Sequence, residues 1–123
     1  MTEQEARELL QKILRLSQAE SIEANISGNT GGNIRYARNT VSTAGATENV
    51  SVVVQSTFGK RQGVATGNEF NDEALARVVR RSEELTRLAP EDPEFMPVLG
   101  PQQYLKTNAW SEATAGTSPV ERA

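Results

Sequence analysis

The residues of this chain able to do chemistry form a short and restricted set. Among its 123 residues there is no histidine and no cysteine. The commonest nucleophile-activating base and the nitrogen and sulfur ligands of zinc are therefore missing, and neither a Ser-His-Asp triad nor a conventional zinc site can be assembled. What remains is Asp, Glu, Ser, Thr, Lys, Arg and Tyr. Glu91, Asp92 and Glu94 stand close enough in sequence to suggest a calcium loop. Pro93 falls between them, however, and both the glycine pivot and the closing bidentate Glu of such a loop are absent, so they read as a hydrated acidic linker. Gly28-Asn29-Thr30-Gly31-Gly32 has the glycine content of a phosphate-binding loop, but no lysine, and it leads into a strand pattern rather than a helix N-terminus. It is expected to be a turn or loop. Arg77, Arg80, Arg81 and Arg87 would give one helix a basic surface, yet Glu73, Glu83 and Glu84 are interleaved and no aromatic side chain sits among them to stack on bases. A solvated helix face is expected. Arg35 and Arg38 with Lys60 and Arg61 would either cluster at a sheet end or protect strand edges. No residue of the chain is therefore assigned a catalytic, cofactor-binding or metal-binding role.

Composition agrees with a scaffold. A net charge of −3, 37% hydrophobic and 24% charged residues describe one globular domain with a tail, without a global attraction to phosphate. Nucleic acid is not expected as a partner. The opening MTEQEARELL lacks the basic start and apolar core of a secretory signal, and no run reaches membrane-spanning length. A cytoplasmic protein without membrane association is expected.

Hydrophobic periodicity supplies the elements. Thr2 and Glu5 have capping-box spacing, and Ala6, Leu9, Leu10, Ile13 and Leu14 recur at helical spacing, predicting an amphipathic helix ending near Ser17. From Ser21 the period becomes two, with Ile22, Ala24 and Ile26 on one side. Ile34 and Tyr36 resume that alternation after the glycine segment. Thr40 to Ala44 predicts a short or edge strand. Asn49 to Phe58 is the clearest strand: Val50, Val52, Val54 and Phe58 share one face, and Ser51, Val53, Gln55 and Thr57 share the other. Gly59-Lys60 predicts a tight turn, after which Gln62 to Thr66 returns antiparallel with Val64 inward.

Asn71 is a good N-cap, with Phe70 placed to staple onto Leu75. Leu75, Val78, Val79, Leu85 and Leu88 predict the buried stripe of a second helix. Glu73 with Arg77 and Glu83 with Arg87 have pairing distance across one turn, and Pro90 ends the pattern. Beyond it, APEDPEFMPVLGP holds four prolines and a glycine in 13 residues and predicts an extended connector. Tyr104, Leu105 and Trp110 follow, apolar groups with too few neighbours for a core of their own. Ser118 and Pro119 open what reads as an N-cap and first helical turn, implying an element that continues past the last residue.

These readings sum to an α+β fold: an antiparallel sheet of four or five strands with two helices packed on one face, then a proline-rich C-terminal extension. Residues 1–89 would form the domain, and 90–123 the connector and the start of a following one. The hydroxyl- and amide-rich sheet face would meet solvent, a second domain or an extended peptide.

The segment VSVVVQSTFGKRQGVATGNEFNDEALARVVRRSEELTRLAPEDPEF and the subsequent PVLGPQQYL resemble the strand, glycine hairpin, strand and arginine-rich helix of the TldD/PmbA family, with Gly59, Gly63 and Asn68 in familiar places. These proteins were once labelled modulators of DNA gyrase and are regarded as metallopeptidases. The resemblance runs over nearly the whole chain from about Glu5 and is at least as good to the PmbA/TldE type. It implies a cytoplasmic two-domain protein, a homo- or hetero-dimer with a TldD/PmbA-type subunit, acting on peptides or small proteins. In TldD-type relatives zinc lies in the later domain on a His-Glu-His motif and a cysteine. None of those positions exists here, so the resemblance implies a noncatalytic N-terminal domain for packing, dimerisation or a substrate channel, with no cofactor of its own. A stand-alone module binding a peptide at its sheet edge, or nucleic acid through its helix arginines, is the alternative.

Overall fold

The computed structural model describes residues 1–122. Its elements run α1 (Glu3–Leu16), β1 (Ser21–Ala37), β2 (Thr40–Phe58), β3 (Arg61–Gly67), α2 (Asp72–Leu88), and two single-turn helices, α3 (Glu112–Ala115) and α4 (Pro119–Arg122). The fold is α+β, and the sheet has three strands in the order β1-β2-β3. The expected four or five strands are thus corrected to three. The difference arises because Gly28-Asn29-Thr30-Gly31-Gly32 is not a turn. It lies inside β1, and none of its glycines takes a positive φ. Glycine permits a bend without forcing one, and here strand pairing keeps the backbone extended. Thr40–Ala44 and Asn49–Phe58 likewise join into one strand, β2. The reversal between β1 and β2 is made instead by Arg38 and Asn39, with φ of 54° and 56°. Two consecutive left-handed residues are the signature of a type I′ turn, whose twist matches that of paired strands.

The chain divides into two compact units. One comprises Met1–Gly28 and Asn49–Met96, the other Asn29–Glu48 and the chain from Pro97 onward. In the first unit, α1 starts with the predicted capping box: the Thr2 hydroxyl accepts from the Glu5 N–H at 3.2 Å, and the Glu5 carboxylate accepts from the Thr2 N–H at 2.6 Å. Asn71 caps α2 by accepting from the Ala74 N–H at 2.9 Å. Ile13 of α1, Val52 and Val54 of β2, and Leu75 and Val79 of α2 form the buried cluster, with Leu9, Ile22, Ala24, Ile26, Phe70 and Val78 packed against it. Both helices therefore cover one sheet face, as the apolar stripes predict. Each buried aliphatic of this size contributes about 1.5–3 kcal/mol, so the cluster is the main reason the unit holds together.

Several positions differ from the apolar pattern, among them Leu14 of the α1 stripe, which is exposed. Val64 was expected inward and is exposed, and Leu88 was expected in the buried stripe and is exposed. The β2–β3 register explains Val64. Val52, Val54 and Ser56 face the helices, and their partners on β3 are Gly67, Ala65 and Gly63. Alternation then turns Val64 outward. The inner face of β3 is consequently built from the smallest residues, and α2 sits directly on it. A Cβ at Gly63 would fall 2.3 Å from the Thr86 amide nitrogen and 2.6 Å from the Ser82 carbonyl oxygen, and one at Gly67 would fall 2.6 Å from Val78 Cγ2. Leu88 is exposed because it lies on the opposite side of α2 from Val79 and Thr86, which face the sheet.

The close approach is sealed by hydroxyls. Ser82 Oγ donates to the Val79 carbonyl at 2.8 Å, so Ser56 Oγ, 2.7 Å from it, is the donor between the two serines. Thr86 Oγ1 lies 2.7 Å from the Ser82 carbonyl and 3.0 Å from the Ser56 carbonyl. All three residues are fully buried and no buried side-chain polar atom among the described residues lacks a partner. The predicted turn at Gly59-Lys60 is present, with Gly59 at φ 57° and Phe58 paired to Arg61 across it.

Gly63→Ala is expected to destabilise the protein by about 3 kcal/mol, the upper end of overpacking costs because backbone rather than a flexible side chain is in the way. Gly59→Ala meets no atom within 4 Å and should cost only the left-handed penalty of about 1–2 kcal/mol. Urea unfolding of the two variants measures the ordering. The capping box holds the Glu5 carboxyl below the usual glutamate range, through the Thr2 N–H first and the Thr2 hydroxyl second. Because the folded value is the depressed one, this contribution is present at neutral pH and is lost as pH falls through the folded value, in the acid range below the usual 4.5. NMR titration should find Glu5 below a free glutamate and restored toward it in Thr2→Ala.

Candidate functional site

The uncovered face of the sheet is the surface on which this unit can meet a ligand. Period-two alternation puts Ser51, Val53 and Gln55 of β2 there, opposite Thr66 and Val64 of β3, which pair with Val53 and Gln55. From β1 come Glu23 and Ser27. The Ser27 and Ser51 hydroxyl oxygens stand 3.3 Å apart, and the Gln55 amide donates to the Glu23 carboxylate at 3.5 Å. As residue numbers rise along β1 they fall along β2, so that pair is antiparallel as well. Thr57, expected among the exposed hydroxyls, is buried. The surface offers single hydrogen bonds from hydroxyls and amides and one exposed carboxylate. Such a face can hold a polar or extended ligand through those groups.

Glu83 is the buried charge among the described residues, and burial of a carboxylate is a common mark of catalytic tuning. Here its partners show a different use. One carboxylate oxygen accepts from the Gln18 N–H at 2.6 Å and from the Ser17 hydroxyl at 2.9 Å, while the other lies 3.8 Å from the Arg87 guanidinium. Glu83 thus reaches from α2 to the residues that end α1 and fixes the two helices to each other. Its i,i+4 pair with Arg87 was legible in the sequence; its bond to Gln18 was not, since nothing local links residues 65 positions apart.

Three of the four helix arginines, Arg77, Arg81 and Arg87, are engaged individually. Arg77 pairs with Glu69 at 3.0 Å rather than with Glu73, because the chain preceding α2 brings Glu69 alongside. Arg81 pairs with Glu84 at 3.6 Å, and Arg87 lies 4.7 Å over the Phe58 ring in cation–π range. Arg61 donates to the carbonyls of Arg87 and Ala89 at 3.5 and 3.3 Å, neutralising the negative end of α2. Arg35 and Arg38 belong to the second unit, and Lys60 and Arg61 to the first. Of the acids beyond α2, Glu91 faces Arg61 at 3.6 Å, and the Asp92 carboxylate accepts from the Glu94 N–H at 2.9 Å. Among the described residues no group of three His, Cys, Asp or Glu is placed to hold a metal ion.

In the second unit, α4 opens with a capping box in which the Ser118 hydroxyl accepts from the Glu121 N–H at 3.2 Å and Glu121 accepts from the Ser118 N–H at 2.8 Å. A groove of about 430 Å³ lies beside it, lined by Gly31, Ile34, Ala46, Ala115 and Pro119, with Arg122 its one charged residue. Arg122 already donates to the Gly32 carbonyl at 3.3 Å. Residues 97–110 carry neither helix nor strand, and Tyr104, Leu105 and Trp110 are 87, 94 and 71% exposed. No helix among the described residues is long and apolar enough to cross a membrane.

Residues 22–86, from β1 through most of α2, match the family model of the PmbA/TldA metallopeptidase domain 1. The chain belongs to that family. Its fold is similar to the crystal structure of TldE from Thermococcus kodakarensis, with a TM-score of 0.64 at 14% identity over 94% of this chain. The match covers 26% of that protein, so this chain spans about a quarter of its length. No curated protein matches the chain in sequence. The matched span contains the sheet, the Gly63 contact and Glu83, and so coincides with what positions the open sheet face.

Removing the Glu83 carboxylate leaves the Gln18 N–H and Ser17 hydroxyl without their acceptor. Glu83→Ala is expected to cost about 2 kcal/mol in a chemical-denaturation experiment. Glu83→Gln retains an acceptor and should recover roughly half of that loss.

Proposed function

We propose that this chain serves as the noncatalytic N-terminal domain of a TldD/PmbA-type metallopeptidase, providing packing, dimerisation or part of a substrate channel for proteolysis of peptides or small proteins. The observation that carries this reading is the family match over residues 22–86, taken with a sequence that has neither histidine nor cysteine. The zinc site that the family resemblance implies uses His, Glu and Cys side chains of a later domain, and this chain supplies none of the nitrogen or sulfur ligands. The chemistry therefore belongs to polypeptide other than this stretch. In the same proposal residues 1–89 are the family domain, residues 90–123 lead toward a following one, and the assembly is cytoplasmic.

The exposed Tyr104, Leu105 and Trp110 support the packing role, because three large apolar groups in water gain most by lying against another surface. The open sheet face, with its single hydrogen-bonding groups, supports a role in holding a substrate.

A protease assay on this polypeptide with added zinc tests the proposal. No zinc-dependent turnover of a peptide substrate is expected from the chain alone, whereas a mixture with a TldD-type subunit should elute as a complex in size-exclusion chromatography. Zinc-dependent cleavage by the chain unaided would overturn it.

A further inference from the structure

Strand β3 ends the sheet; the chain after α2 meets this edge just ahead of the strand, where the Asp92 N–H donates to the Lys60 carbonyl at 2.9 Å, and from Gln62 onward the outer side is unpartnered among the described residues. The two-residue turn makes Phe58 and Arg61 a hydrogen-bonded pair, so with the one-to-one register that follows, Arg61, Gly63, Ala65 and Gly67 direct their backbone groups at β2. Gln62, Val64 and Thr66 then direct their N–H and C=O groups away from the sheet. Among the described residues no hydrogen bond from a turn, loop or side chain reaches those six groups. Natural edge strands are blunted by lysine, proline, inward charges or a bulge. From Gln62 to Gly67 there is no charge and no proline, and the seven β2–β3 pairs run without a bulge. Arg61, the one cation of the strand, is drawn back onto the end of α2.

We propose that the free edge of β3 binds an extended segment of another polypeptide, which adds as a fourth strand through the backbone groups of Gln62, Val64 and Thr66. The position of α2 decides between this occupant and a second copy of the chain. Because α2 rests directly on Gly63, two copies paired antiparallel through β3 across a two-fold axis would carry both helices on the same face. Their axes would stand about one strand spacing, ~5 Å, apart, whereas packed helices need about 8–10 Å. A parallel pairing has to be staggered by one residue to match donors with acceptors, and a closed two-fold cannot provide that stagger. A strand that carries no helix on this face meets neither obstacle.

The surroundings define its chemistry. On the open face, side chains of the added strand would lie beside Gln62, Val64 and Thr66, an uncharged row that suits β-branched residues. On the helix side they would lie along the flank of α2 turned away from Glu83, where Val78 and Leu85 are half-buried and Arg81 is exposed. The partner is therefore an extended, uncharged segment with β-branched residues at alternate positions. This proposal is independent of the peptidase reading, since it rests on backbone groups rather than on the family.

The test uses the full chain and a blocked octapeptide of alternating Thr and Val with lysine at each end, followed by ¹⁵N NMR. Saturable shifts at the amides of Gln62, Val64 and Thr66 are expected, with hydrogen exchange at those three slowed roughly tenfold at nine-tenths occupancy. Gly63 and Ala65, already bonded to β2, should change little. Val64→Pro, which removes one outward N–H and leaves the β2 ladder intact by its unchanged amide signals, should abolish the effect. A peptide N-methylated at alternate residues on the pairing side should not bind. The proposal is overturned by absence of shifts at millimolar peptide, by equal binding of the N-methylated peptide, or by protection of the three amides that grows with protein concentration in the absence of peptide.

Discussion

The seating of α2 on β3 is the contact on which the rest of the first unit depends. Helices pack against sheets through side chains, and the distance between layers is set by their size. At Gly63 there is no side chain, so the helix backbone at Ser82 and Thr86 comes down to the strand itself. That proximity excludes water from the interface and places hydroxyls where only other hydroxyls and carbonyls can satisfy them. Ser56, Ser82 and Thr86 answer each other there, and every buried side-chain polar atom among the described residues is paired. A fully satisfied polar network of this kind specifies one register of helix against strand, where an apolar interface would tolerate sliding.

Other features follow from that register. With α2 fixed along β3, Glu83 points toward α1 and captures the Gln18 N–H, while Arg87 reaches Phe58 and Arg61 meets the end of the helix. Lys12 of α1 bonds to Asp72 at the start of α2. Exposed ion pairs such as this one contribute at most about 1 kcal/mol; the buried acceptor role of Glu83 matters more. Asp72, Glu83 and Arg87 of α2 are thereby engaged with other elements of the unit, while the sheet face away from the helices and the β3 edge stay open.

Among its described residues this family domain gathers no group of three metal-ligating side chains, and what it presents is hydrogen-bonding capacity. On the open sheet face and the β3 edge that capacity lies in backbone groups, single hydroxyls and amides and the Glu23 carboxylate, which can orient an extended chain.

Much of the architecture was legible in the residues. The capping box at Thr2, the N-caps at Asn71 and Ser118, the Gly59-Lys60 turn, both long helices and the α+β class follow from local chemistry, since each is decided by hydrogen bonds or steric limits among residues a few positions apart. The missing histidine and cysteine likewise bounded the chemistry before any fold was known. Tertiary structure alone decided the rest. Gly28 to Gly32 could bend or extend, and pairing with β2 made it strand; Val64 is apolar, yet the register opposite Gln55 turned it to solvent. Gly63 became an anchor, Glu83 a link to Gln18, and Gln62, Val64 and Thr66 an open edge. Each of those outcomes depends on partners distant in the chain, and no periodicity within a segment carries information about which surface will be laid against it.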